Sequence, residues 1–166
     1  MKSLKPIVSR QVRCASIRTA TPYIIPSIFG NVEKYELIDH TADLMVKAYG
    51  NTLEECFANA GYALFDQTVD LSGIKPEKVF TAEAFGDDPE SLLYAFLSEL
   101  LFLEDSEGMV LCELSVKFGD GGLLCVGKGE ILDRNRHRVR SEIKAVTFHM
   151  MAVDAEEPSV TVIFDV

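Results

Sequence analysis

Positive charge is scarce in this sequence: 16 Lys and Arg stand against 26 Asp and Glu in 166 residues, for a net charge of −10. The shortage is concentrated. Residues 1–33 hold Lys2, Lys5, Arg10, Arg13 and Arg18 with Glu33 as their only acid, which leaves 11 basic and 25 acidic residues, a net of −14, over residues 34–166. A field of that sign repels phosphate, so no tight direct RNA binding is expected. It suits a basic protein surface or a cation, although acidity also serves to keep a small protein dissolved. Long apolar runs are missing as well. The longest candidate, Leu92 to Leu103, is broken by Ser98 and Glu99 and falls short of the roughly 18 residues a membrane helix needs. The expectation is a cytoplasmic protein with no membrane partner.

Several reactive signatures are absent too. There is no HExxH and no nucleophile elbow, and Gly119-Asp120-Gly121-Gly122 lies between two strand-like runs, so it reads as a turn and not as a phosphate loop. His40, His137 and His149 are isolated from one another. Cys14, Cys56, Cys112 and Cys125 show no CxxC spacing, and the last three lie among apolar residues. They read as free thiols in a reducing compartment.

With 48% hydrophobic residues, the chain can bury a core, and its length fits one domain. Residues 1–33 stand apart, with no acid before Glu33 and with prolines at Pro6, Pro22 and Pro26. A transit-like leader fits that composition; so does a start placed too early, with Val32 as the translation of a GUG start. A secretory signal fits less well, because Pro26 interrupts Tyr23–Phe29. In each case the domain is expected over residues 34–166, with residues 1–33 an extension outside it.

From Lys34 the patterning is strong. Tyr35–Asp39 and Leu44–Tyr49 read as strands. Thr52-x-x-Glu55 fits a capping box, with Asn51 as the alternative cap, ahead of a helix whose stripe is Leu53, Cys56, Phe57, Ala60, Leu64 and Phe65. Ser72–Lys78 reads as a loop and Val79–Phe85 as a strand. Asp88-Pro89 opens a second helix that Gly108 ends. Leu111–Phe118 and Leu123–Leu132 form a hairpin, and Glu142–Val153 and Ser159–Val166 are two further strands joined through the acidic turn 154–158. The order β-β-α-β-α-β-β-β-β predicts an α+β fold, a largely antiparallel or mixed sheet with two helices packed on one face.

Three polar groups invite a functional reading. Asp39-His40-Thr41-Ala42-Asp43 is either a turn bonding its own backbone or a carboxylate and imidazole presented at a strand end. Arg134 to Arg140, with four arginines in seven residues, is either a solvated tip or a docking point for an anion or partner. Lys144 follows in an apolar strand, where its ammonium should reach solvent or an acid near the strand's end. Asp165 and the end of the chain at Val166 place anionic groups side by side. They either fray into solvent or share a hard cation.

The runs Tyr35-Glu36-x-x-Asp39-His40-Thr41-Ala42-Asp43, Ala48-Tyr49-Gly50-x-Thr52-Leu53-Glu54-Glu55-x-Phe57 and Lys144-Ala145-Val146-Thr147-Phe148 resemble archease. So do Asp88-x-x-Ser91-Leu92-Leu93, Gly129-Glu130 and Asp165-Val166, in order over residues 34–166. The resemblance implies a duplicated strand–helix–strand–strand module. It also implies an accessory protein, not an enzyme: an activator of an RtcB-type RNA ligase in tRNA splicing and RNA repair, promoting guanylylation and repeated turnover. The ligase itself carries the catalytic histidine, the Mn²⁺ ions and the guanylate. Carried over residue by residue, a divalent-cation site falls on Asp43, Asp165 and the Val166 oxygens, while Lys144 and His40 serve partner activation. An all-oxygen set favours Ca²⁺, Mg²⁺ or Mn²⁺ over Zn²⁺. The basic run finds a match in the family only around His137. Two other classes compete: a small metal-dependent hydrolase or phosphoesterase built on Asp43 and Asp165, and a chaperone-like binding module, which needs an exposed apolar patch.

Overall fold

In the computed structural model, residues 33–38 and 43–166 are described; Asp39, His40 and the expected extension up to residue 32 lie outside them. The elements are β1 (Tyr35–Ile38), β2 (Leu44–Tyr49), α1 (Leu53–Thr68), a 3-10 turn (Leu71–Gly73), β3 (Lys78–Phe85), α2 (Pro89–Glu107), β4 (Met109–Gly119), β5 (Gly122–Ile131), β6 (Ala145–Asp154) and β7 (Ser159–Asp165). The helix ends follow their caps. Thr52 Oγ1 accepts from Glu55 N at 3.3 Å while Glu55 Oε2 accepts from Asn51 N at 2.7 Å, so Thr52 and Asn51 share the capping box. Asp88 Oδ1 accepts from Ser91 N at 2.7 Å, Pro89 follows it, and Gly108 closes α2 with a φ of +64°.

The α+β class and the antiparallel pairing are as expected, but the strands divide between two sheets. One has the order β1-β2-β7-β6 and the other β3-β5-β4, every pair antiparallel. The helices accordingly do not lie on one face of a single sheet. α1 packs on β4 of the smaller sheet and on β2 and β7 of the larger, and α2 reaches β3 and β6. α1 is therefore covered almost all round: beside the apolar stripe, Ala58, Gly61 and Ala63 are buried. The small residues let the neighbours approach. A Cβ on Gly61 would meet Leu100 Cδ1 at 2.8 Å and Leu114 Cδ2 at 3.0 Å, on α2 and β4. Phe57, Phe65, Phe96, Phe164 and Leu97 fill the space between. No helix of the described residues is long and apolar enough to cross a membrane.

Two strands carry irregularities. β4 bulges between Leu111 and Glu113, opposite Gly129 and Lys128 of β5. β6 runs in register with β7 through Thr147↔Ile163 and resumes at Ala152↔Thr161, so residues 148–151 arch out over a single partner position. Met150 in the arch has a φ of +56°, and Phe148, over half exposed, rests its ring against Tyr94 of α2 at 5.8 Å. The arch explains why apolar residues of β6 fall on both parities.

One acid is held against its preference. Glu104, in the last turn of α2, has Oε2 3.4 Å from Thr68 Oγ1; burial, reinforced by the charge of Asp105, pushes its carboxyl up to about 7. Between roughly pH 4.5 and 7 the folded protein holds a proton that the unfolded chain has released, so stability falls as pH rises through that window. Glu104→Gln is expected to raise stability at about pH 8 by roughly 1–2 kcal/mol, partial exposure screening the remainder, and to add nothing near pH 4. Thermal melts of both proteins at the two pH values check this.

Candidate functional site

The site forms at one end of the larger sheet, where β2 begins, β7 ends and β6 begins. Leu44 pairs with Phe164, so Asp43 and Asp165 are the next residues outward on adjacent strands. Ala145 pairs with Asp165, which puts Lys144 beside the end of β7 on its other flank. Two hydrogen bonds tie Lys144 there: its backbone N donates to Asp165 O at 2.8 Å, and its Nζ donates to Val166 O at 2.9 Å. Asp43 and Asp165 are half-buried, while Lys144 and Val166 are exposed. The structure thus brings Asp43, Lys144, Asp165 and Val166 to one place from three strand ends. His40 lies outside the described residues. Among the described residues no group of three or more His, Cys, Asp or Glu is placed to hold a metal ion, so a cation here would draw on two carboxylates and backbone oxygen.

Most of the other motif residues have packing duties. Tyr35 donates from its hydroxyl to Asp66 Oδ2 at 2.6 Å and accepts from Gln67 Nε2 at 2.8 Å, fastening β1 to α1; burial, and then the Asp66 carboxylate, push its phenol upward. Tyr49 donates to Glu36 on the neighbouring strand. Thr52, Glu55 and Asp88 cap helices, and Gly129 sits against the bulge.

The basic run proves to be an internal strap. Glu130 is buried and takes Lys75 N on Oε1 at 2.8 Å and the Arg136 guanidinium on Oε2; that guanidinium holds its carboxyl below the usual carboxylate range. His137 is buried beside it: Nδ1 accepts from Asp133 N at 3.0 Å, which leaves the proton on Nε2, 3.2 Å from Glu130 Oε1 and without hydrogen-bond geometry. Arg140 then reaches α1, with Nη1 on Asp66 O at 2.8 Å and on Asp66 Oδ1 at 3.2 Å, while its backbone N bonds Thr68 O at 2.8 Å. A bridge between Val69 and Val139 completes the seam. Two of the four arginines therefore hold acids of this same chain. The sequence signal was present in Glu130, the one acid of β5, but its partners could not be read from spacing.

Cys56 and Cys125 are buried and Cys112 is partly so, all three as free thiols; Cys14 lies outside the described residues. The outward face of the smaller sheet exposes Val79, Phe85, Leu124 and Val126. Leu124 lies between Glu83 and Lys117, and Val126 between Thr81 and Ser115, so polar neighbours interrupt the apolar surface.

Comparison with known proteins agrees over the same span. Residues 35–166 match the model of the Archease protein family. The chain is 41% identical over 127 residues to protein archease of Pyrococcus furiosus, covering 74% of this chain and 89% of that protein. To the protein archease-like of Drosophila melanogaster it is 38% identical over 141 residues, covering 80% and 90%. The solution structure of Methanobacterium thermoautotrophicum protein 1598 superposes with a TM-score of 0.65 at 35% identity, covering 81% of this chain and all of that one.

Proposed function

The chain belongs to the archease family, and from that membership we propose that it is a non-catalytic activator of an RtcB-type RNA ligase, acting in the cytoplasm in tRNA splicing and RNA repair. The observation that carries the reading is the convergence of Asp43, Lys144, Asp165 and Val166 at one sheet end. The side chains of Lys144 and Asp165 fill no core and cap no helix, in contrast to most of the motif residues around them. The strongly acidic domain supports a basic protein partner over RNA itself.

The donor set fits a hard cation: the carboxylates of Asp43 and Asp165 and the backbone oxygen of Val166 are all oxygen, the preference of Ca²⁺, Mg²⁺ and Mn²⁺. A cation bound there would supply positive charge with positions left for oxygen ligands from the partner. Asp43 and Asp165 would hold it, and Lys144 orients the end of β7.

The test is RNA ligation by a catalytic amount of ligase, with and without this protein. Stimulated turnover and faster ligase guanylylation, with no hydrolysis by this protein alone, are expected. Phosphoester hydrolysis without the ligase would select the metal-dependent hydrolase instead. In the same assay Lys144→Ala should cut stimulation strongly while changing stability by about 1 kcal/mol or less, since its exposed ammonium makes one surface hydrogen bond. Unfolding in proportion to lost activity would overturn the role given to Lys144.

A further inference from the structure

We propose that the Lys144 ammonium is a place-holder for the cation of this site, and that cation entry displaces it. The inference rests on the reading above that this sheet end takes a divalent cation, and it adds what the Lys144 side chain does when one binds. Lys144 is engaged with β7 twice, through its backbone N on Asp165 O at 2.8 Å and its Nζ on Val166 O at 2.9 Å. The backbone bond continues the pairing of Ala145 with Asp165, so it fixes where the side chain starts. The ammonium bond does not belong to the ladder. It is a single, exposed contact that places a positive charge on one of the oxygens a cation would use.

The two cannot share that oxygen without cost. A hard cation sits about 2.3–2.6 Å from its oxygen ligands. With the ammonium on the same oxygen, a doubly and a singly charged cation would lie only a few ångströms apart. Even at the high effective dielectric of a protein surface, like charges at that range repel, and the ion carries twice the charge of the ammonium. An exposed pair of this kind contributes little to hold the ammonium in place. The ammonium therefore leaves when the ion binds, and its loss weakens the ion's apparent affinity. Asp165 remains tied to Lys144 through the backbone in both states, so the exchange needs only side-chain rotation. The released ammonium then becomes available to an oxyanion of the ligase complex.

The experiment is calorimetric titration of the full chain with CaCl₂, for wild type, Lys144→Met and Lys144→Arg, each first shown to be folded by its thermal melt. Lys144→Met is expected to bind Ca²⁺ about tenfold more tightly, the discounted effect of removing one nearby charge, and Lys144→Arg about as wild type. A second readout is the acetylation rate of Lys144, followed by peptide mass spectrometry. Saturating Ca²⁺ should raise it several-fold in wild type and leave it unchanged in Asp165→Asn. Binding by wild type and Lys144→Met with equal affinity, or a Lys144 reactivity indifferent to Ca²⁺, overturns the exchange while leaving the cation site standing. Absence of Ca²⁺ binding in every variant, with the same result for MgCl₂ and MnCl₂, overturns the cation reading and this inference together.

Discussion

Gly129→Ala should cost the protein more than about 3 kcal/mol, enough to remove much of the stability of a domain this size. A Cβ at that position would sit 1.8 Å from Val110 O and 2.8 Å from Leu111 Cα. Both are backbone atoms of β4, so no side-chain rotation relieves the overlap. The ladder between β4 and β5 would have to open beside the bulge at Leu111/Glu113. The damage would spread to the next residue, because Glu130 is the acid that Lys75 N, Arg136 and His137 converge on. Gly73→Ala is the control: nothing lies within 4 Å of a Cβ there, and its effect should stay near neutral. Urea denaturation of the two variants measures the contrast, and a Gly129→Ala protein no weaker than Gly73→Ala would show that the strands adjust more freely than their packing implies.

Asp165→Ala and Asp43→Ala should each abolish ligase stimulation while the protein keeps a folded spectrum. The two residues lie one step beyond the Leu44↔Phe164 pair, at the rim of the sheet, with neither side chain in the core. Each supplies one of the two side-chain carboxylates in the proposed donor set, and loss of either leaves too few anionic ligands for a hard cation. Divalent cations are expected to raise the melting temperature of the wild type, and both variants should lose that rise. Removing Val166 alone should weaken binding less than losing Asp165, since it takes a backbone oxygen and not a side-chain carboxylate. Normal stimulation by both alanine variants would mean that the ligase recognises another surface.

Local chemistry made the helix ends readable. Thr52, Asp88, Pro89 and Gly108 announce them by capping, and the glycines between β4 and β5 announce a hairpin. What could not be read is non-local. Ala58, Gly61 and Ala63 carry little hydrophobic signal, so the covering of α1 by two sheets was hidden in residues that matter by being small. The arch in β6 blurs the period-two pattern, and the true strand starts at Ala145, three residues after the Glu142 expected from apolar alternation. Arginines on an acidic protein suggest a docking surface until Glu130, Asp66 and Asp70 are seen to face them. Asp43 and Asp165 are separated by most of the domain. No spacing rule pairs them; family resemblance suggested it, and β-strand register places them on adjacent strands. His40 and the stretch up to residue 32 lie outside the described residues.

The place of β7 in the larger sheet bears on how the chain folds as it is synthesised. β7 is made after every other strand, yet it lies between β2 and β6 and hydrogen-bonds to both. Until it leaves the ribosome, β1 and β2 have a bare edge, and β6 lacks the neighbour it pairs with. Helix α1 lacks the part of its cover that β7 supplies. The smaller sheet and the helices can begin to collect earlier, because their partners are closer in sequence. The larger sheet cannot close before β7 is made, and its closing brings Asp43, Lys144 and Asp165 together. A chain stalled or cut short before β7 therefore lacks the sheet end at which these residues meet.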